Sequence, residues 1–427
     1  MQAGFALLEA GSVQKVVTVN ILFKNLADVL VGAFVWWSLG YAFAYGKNGS
    51  SDLPEDQNDF IGNSGYFLQH IGFCEYSFYF YQWTFAATAV TIVSGAVAGR
   101  TQLKAYMGYS ILLIGFVYPT VVKWTWSYNG WLWQGTNTDG TKVFEADEDD
   151  MGYRDFAGSG IVHVLGGTAA LVGAWMVGPR VGWTKEDGIT GHSMPLVFLG
   201  TMILSFGFIG FNGGSVLAMD NTSHAAGASL AVVNTILAGS GGGVVMEIWS
   251  RGFDKKWSMV TMCNSALAGM VAVCAGADSY WPWAAWIVGM IGGLGFRFTA
   301  KMIRRAEIDD AIDACGVHLG GGMVGVLMRP FFDKADGLFY GHSIGWTMLG
   351  WNVAGLVVIV VWTGTWMYLL FKLLSLTGSL RVSDAEQAGP GGIDAHEHGE
   401  DSYSLNDWNP NGEASAKPSK TNAIVPS

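Results

Sequence analysis

Asp155-Phe-Ala-Gly-Ser-Gly-Ile-Val-His163 and Asp310-Ala-Ile-Asp-Ala-Cys-Gly-Val-His318 are the stretches on which the reading of this chain turns. In each, an aspartate stands eight residues before a histidine, and small residues follow at once (Gly166, Gly167; Gly320, Gly321, Gly322). Eight residues is just over two helical turns, a spacing at which the acid and the imidazole of each stretch can share a helix face. An imidazole in apolar surroundings is costly to charge, and it can change protonation near neutral pH. One such stretch lies in each half of the chain.

Outward from this pair, composition sets the solvent. The 427 residues are 51% hydrophobic and only 13% charged, with 60 glycines and 19 tryptophans. That charge fraction is about half the roughly 25% of soluble proteins. Together with the glycine and tryptophan content, it points to an all-α polytopic membrane protein. The net charge of −11 comes largely from two acidic loops and the C-terminal tail, which leaves no basic face for nucleic acid. The four cysteines form no CxxC pair and no Cys/His metal spacing, and Cys263, Cys274 and Cys315 read as small core residues.

A spanning helix needs about 20 largely apolar residues. Ten stretches approach that length: roughly 26–46, 76–98, 105–126, 156–178, 194–217, 225–249, 258–277, 282–300, 314–331 and 344–375. The apolar start, Met1 to Val13, is some 12 residues, about 18 Å of helix. It reads as the second half of a helix whose first half is missing, and counting it gives eleven transmembrane helices. The loops after segments 1, 3, 5, 7 and 9 then hold most of the cations, among them Arg100, Lys104, Arg180, Lys185, Arg297 and Lys301. By the positive-inside rule the N-terminus is outside and the C-terminus cytoplasmic. The opposite loops are acidic, notably Glu145 to Asp150, either a solvated loop or a mild concentrator of cations at the mouth. Residues 1–380 form the membrane domain, and 381–427 a cytoplasmic tail that is disordered from about residue 409. His396 and His398, beside acids in the tail, read as solvent-exposed rather than as metal ligands.

Segments 1–5 end with the first Asp/His stretch and segments 6–10 with the second. Five is odd, so the second half is inverted relative to the first, and such repeats place a functional site near the bilayer midplane. His163 and His318 would meet there from opposite directions. The competing reading makes each a core histidine bonded to a backbone carbonyl. A zinc site lacks a third ligand at suitable spacing. Asp155 is either a helix N-cap or a charge at the outer mouth. Aromatics crowd the outer side: Tyr79, Phe80, Tyr81, Trp83 and Phe85, then Trp124, Trp126, Trp131 and Trp133. They are either membrane-belt anchors or, for a few, a cation–π box. Phe206, Phe208 and Phe211 run into Asn212-Gly-Gly-Ser215, a helix break that presents a hydroxyl.

Met1-Gln-Ala-Gly-Phe-Ala-Leu-Leu-Glu-Ala-Gly-Ser-Val13, Asn20-Ile-Leu-Phe-Lys-Asn25, Asp155-Phe-Ala-Gly158, Gly210-Phe-Asn-Gly-Gly-Ser215 and Gly316-Val-His318 appear in this order. With Gly392-Ile-Asp394 and Glu397-His-Gly-Glu400 in the tail, the chain resembles the ammonium transporter family (Amt, methylammonium permease and Rhesus proteins), and its Amt branch in particular. The resemblance implies an eleven-helix homotrimer in the plasma membrane with one pore per subunit, no cofactor, no bound metal and no enzymatic activity. It implies that His163 and His318 are the paired pore histidines and that Phe85 and Phe211 are stacked rings gating the outer vestibule. It further places an outer ammonium site at Phe85, Trp126 and Ser215, with Asp155 supporting recruitment and deprotonation. The chain departs from the family in three places: helix one lacks its first half, Gln14-Lys-Val-Val17 replaces the usual first loop, and Ile393 stands where plant members carry a phosphorylatable threonine.

The physics agrees with that expectation. A bare cation is expensive in an apolar tube, whereas neutral ammonia is cheap there. Aromatic faces and a serine oxygen can accept the N–H groups of ammonium. The expected function is ammonium transport, with ammonium deprotonated outside and ammonia conducted past two proton-relaying histidines. The alternative is an ammonium sensor with little flux.

Overall fold

A computed structural model describes residues 1–46, 60–128, 130–135 and 151–403. The acidic run Glu145–Asp150 and the tail from residue 409 lie outside the described residues. The long helices are α1 (Gln2–Ser12), α2 (Lys15–Tyr45), α3 (Tyr76–Ala96), α4 (Leu103–Thr125), α5 (Ser159–Val177), α6 (Met194–Gly214), α7 (Thr222–Asp254), α8 (Met259–Gly276), α9 (Pro282–Arg305), α10 (316–332) and α11 (Ile344–Leu376). Among the described residues there is no β-strand, only two isolated bridges, Thr101–Arg381 and Tyr280–Asp333. By length and composition, α2, α4, α5, α6, α7, α8 and α11 can cross a membrane. Their outward faces agree with an apolar solvent: Leu22, Leu26, Leu30 and Phe34 are exposed along α2, as are Val353, Val357, Val361 and Leu369 along α11.

Most helices fall within a few residues of the apolar runs. The clearest departure is α2, which starts at Lys15 rather than near residue 26. Its first turns carry Asn20, Lys24, Asn25 and Asp28, which break the apolar run yet are buried. Each of these side chains makes at least one hydrogen bond inside the protein. Asn25 Nδ2 donates to Glu9 Oε2 at 2.7 Å, and Lys24 Nζ donates to Thr101 O at 2.6 Å. The Asp28 carboxylate accepts from Tyr106 and Ser110 at 2.6 and 2.7 Å. A hydropathy window cannot see bonds made to distant helices.

The two halves meet through equivalent helices. α1 lies along α6, where small residues allow backbone contact: a Cβ on Gly200 would stand 2.3 Å from Leu8 N and 2.7 Å from Gly4 O. α5 crosses α10 in the same way. A Cβ on Gly167 would stand 2.5 Å from Leu319 N, and one on Gly322 2.4 Å from Ser159 O. Gly167 and Gly322 each follow their histidine by one helical turn, so the crossing is reciprocal. This is the small-residue packing that lets helices approach closely in lipid.

Three interhelical connections are clamped together by buried charge. The Arg180 guanidinium donates to both oxygens of Asp309 at 2.8 Å, and its backbone N–H donates to the same carboxylate at 2.9 Å. Arg100, also buried, donates to Ala96 O, Gly178 O and Asp309 O. Burial alone would raise the Asp309 carboxyl. The bonds from Arg180 and the charges of Arg100 and Arg180 outweigh it and hold the group below the usual carboxylate range. Its contribution to stability is therefore present above the unfolded carboxylate pKa and lost as pH falls through the lowered value. Asp309→Asn is expected to cost about 3–5 kcal/mol, because it leaves buried guanidinium charge uncompensated. A thermal denaturation midpoint equal to that of the parent protein in detergent would contradict this.

Residues 381–403 fold back onto the bundle. The Asp394 carboxylate accepts the N–H groups of Val19 and Asn20 at 2.9 and 2.8 Å, and Asn20 Nδ2 donates to Glu397 at 2.7 Å. His396 is exposed as expected and pairs with Glu386. His398 is not free: its ring packs on Phe23 at 5.2 Å and its Nε2 lies 3.0 Å from Asn20 Nδ2. The acids beside it in sequence are drawn to α2, and the ring follows.

Candidate pore and cation site

A broad cavity of about 790 Å³ is lined by Phe85, Trp126, Asp155, Ser215, Asp278 and Arg329 among others. Its floor is aromatic. Phe85 and Phe211 are almost fully buried (1% and 4% exposed), with ring centroids 4.4 Å apart. They meet at 71°, edge to face rather than stacked in parallel. That geometry sets the positive edge of one ring on the negative face of the other, the favoured arrangement for an aromatic pair. Trp126 stands 5.3 Å from Phe85, and its indole N–H donates to Asp155 O at 2.8 Å. Trp131 packs instead on Trp124. Phe206, at 77% exposed, faces outward and takes no part.

Directly below lie the histidines. His163 lies tilted, 5.5 Å from Phe211 and 5.7 Å from Phe208, and His163 and His318 stack at 5.2 Å with their planes 17° apart. Their Nδ1 atoms are 3.1 Å apart, so one imidazole donates to the other. Neither bonds a backbone carbonyl through that nitrogen. His163 is fully buried and His318 is 6% exposed. Both sit in irregular wide turns, Ser159–Val164 and Gly316–Gly320, that open the helical ladder at equivalent repeat positions. Such π-turns recur at functional sites because they re-aim a side chain.

The two aspartates play one local role. Asp155 Oδ1 accepts the N–H groups of Gly158 and Ser159, and Oδ2 those of Gly160 and Ile161, at 2.8–3.1 Å. Tyr153 OH adds a bond at 3.2 Å. Asp310 likewise accepts from Ala314 and Cys315 at 3.0 and 2.7 Å. Of the two readings of Asp155, the cap is observed, and the residue lines the broad cavity as well. The two aspartates differ in their surroundings, the broad cavity for Asp155 and a second, narrower one for Asp310.

Ser215 caps the C-terminal end of α6 in the wall of the cavity, and its Oγ donates to Phe211 O at 2.8 Å. Tyr81, one of the crowded aromatics of α3, belongs here too. Its OH donates to Phe211 O at 2.6 Å and lies 3.4 Å from Ser215 Oγ. The signal in the sequence is spacing: Tyr81 precedes Phe85 by one helical turn, on the same face.

An aromatic-floored cavity above two buried, mutually bonded imidazoles thus lies inside a bundle of long apolar helices, the architecture of a multi-pass membrane protein. The model of the Ammonium Transporter Family matches residues 1–403. The chain belongs to that family. It is 36% identical to Ammonium transporter 1 member 3 of Solanum lycopersicum, covering 94% of this chain and 90% of that protein. Among solved structures, a Sensor Amt Protein aligns over 93% of this chain and 94% of its own, with 29% identity and a TM-score of 0.78. Candida albicans Mep2 aligns over 90% of this chain and 83% of its own, with 26% identity and a TM-score of 0.76.

Proposed function

We propose that this chain conducts ammonium across a membrane, recruiting the cation in the broad cavity, on the outer side, and passing it inward as ammonia. The observation that carries the reading is the His163–His318 pair, buried directly beneath the Phe85–Phe211 contact. In the outer site, Phe85 and Trp126 offer ring faces to the cation and Ser215 Oγ offers a lone pair. Asp155 is a positioning residue: its carboxylate is taken up by backbone N–H groups, and its negative charge favours a cation close by. Phe85 and Phe211 close the floor against water. The two imidazoles hydrogen-bond the neutral species and relay the proton it has lost.

In this reading residues 1–380 form the conducting domain and 381–427 the cytoplasmic tail, with the N-terminus outside. Eleven spans, a homotrimeric assembly and a plasma-membrane location complete it; the apolar outer faces of the helices suit either lipid or a neighbouring subunit. Expressed in a yeast lacking its own ammonium transporters, the chain is expected to restore growth on low ammonium. A sensor with little flux would fail that test while still changing its tail contacts on ammonium addition. The docked tail and the likeness to a Sensor Amt Protein favour that second reading enough to test it.

A further inference from the structure

Glu9 on α1 is completely buried. Ser94 Oγ donates to Oε1 at 2.6 Å and Asn25 Nδ2 to Oε2 at 2.7 Å, and both donors are neutral. Among the described residues no ion pair reaches this carboxylate. The charged and titratable groups around it are Lys24, Asp28, Tyr106 and Tyr109, and His318 lines a small cavity with it. Lys24 is directed at Thr101 O, and Asp28 is bonded by Tyr106 and Ser110. The seam thus holds two carboxyls and one ammonium, and an uncompensated buried carboxylate is costly.

Glu9 also shares a small cavity with His318. A cavity of about 20 Å³ is lined by Glu9, Thr91, Asn264, Ile312 and His318 among others. It matches the size of one water or ammonia molecule. Ile312 also lines the inner vestibule, about 300 Å³ beside Arg180, Arg304, Asp310 and Asp313. A Cβ on Gly95 would stand 2.2 Å from Ile312 Cδ1 and 3.4 Å from Glu9 Oε1, so glycine there lets the isoleucine close over the carboxyl.

We propose that Glu9 is the inner proton acceptor of the pore, taking the proton from His318 and releasing it across Ile312 into the inner vestibule. This rests on the ammonium-conducting reading above. An N–H bond of ammonium breaks outside the histidines, its electron pair stays on nitrogen, and ammonia continues as a neutral molecule. The proton passes along the imidazole pair and ends as the O–H of the Glu9 carboxyl, which removes the buried charge. Loss of that proton to ammonia or water in the vestibule restores the carboxylate.

The test uses the full chain in proteoliposomes, recording ammonium-driven current alongside uptake of labelled methylammonium. Glu9→Gln is expected to lower the ratio of current to uptake by about 100-fold or more, as expected when one positioned proton-transfer group is lost, while Glu9→Asp retains most of it. A purely structural role would lower both signals together. An infrared difference spectrum is expected to show a protonated-carboxyl band that titrates in the parent chain and is missing in Glu9→Gln. If Glu9→Gln does not reach the membrane, Ser94→Ala decides. It removes a donor that favours the anion, so the midpoint of the current's pH dependence should move to higher pH. Parent uptake with an unchanged ratio in Glu9→Gln, or an unmoved midpoint in Ser94→Ala, overturns the proposal alone. No uptake by the parent chain overturns the ammonium reading and this proposal with it.

Discussion

Gly322→Val is expected to eliminate transport and most of the folded protein. A Cβ at 322 would stand 2.4 Å from Ser159 O and 3.0 Å from Val164 Cγ2. The first of these is backbone, and it cannot retreat. Ser159 Oγ donates to Val271 O at 2.7 Å and accepts Ala275 N–H at 2.8 Å, which ties that turn to α8. The Ser159 N–H is held by Asp155. Overpacking a core usually costs about 1–3 kcal/mol when side chains can rotate away. Here the only relief is to part α5 from α10, and that separates His163 from His318. Gly322→Ala should give a milder version: folded protein with a lower denaturation midpoint and reduced flux. Yield and melting from detergent micelles, read beside methylammonium uptake, check both. A valine variant with parental melting and flux would mean that the crossing does not hold the pore together.

His163→Asn should separate proton movement from ammonia movement. Asparagine keeps a hydrogen-bonding amide of similar reach, but it takes up no proton near neutral pH. Its neighbours, Phe208 and Phe211 on one side and His318 on the other, tolerate a planar polar group. Ammonium-driven current should fall on the order of 100-fold, the low end of what a positioned proton-transfer group contributes. Uptake of the neutral species should fall less. His318→Ala removes the other half of the relay, and with it the Phe5 contact at 6.0 Å. If rate, ammonium selectivity and electrical character all survive both substitutions, the relay role is wrong.

Much of this architecture is legible in the sequence, for identifiable reasons. Lipid demands long apolar runs, so most of the long helices stand out as apolar stretches of sequence. The repeat is visible because inverted halves must place matching chemistry at matching positions, and the two Asp/His stretches do so. Legibility ends where polar groups find their partners far away in sequence. The first turns of α2 read as too polar for a long apolar helix because Lys24, Asn25 and Asp28 find partners on α1, α4 and the α3–α4 connection. His398 reads as free because Phe23 and Asn20 lie far from it along the chain. Tyr81 is one aromatic among many until its hydroxyl is seen at Phe211 O.

By itself, then, the chain's order of residues determined an all-helical membrane protein, an internal repeat and the histidines around which it is built. These follow from periodicity and from the cost of polar groups in lipid, which act residue by residue. Only the tertiary structure decided that the imidazoles bond each other rather than a carbonyl, that Phe85 and Phe211 meet edge to face, and that both aspartates cap the turns carrying the histidines. It alone brought Glu9 and His318 to line one small cavity. Those outcomes depend on distances between helices, and such distances are set by glycines such as Gly167 and Gly322, whose effect appears only when the opposing backbone is in place.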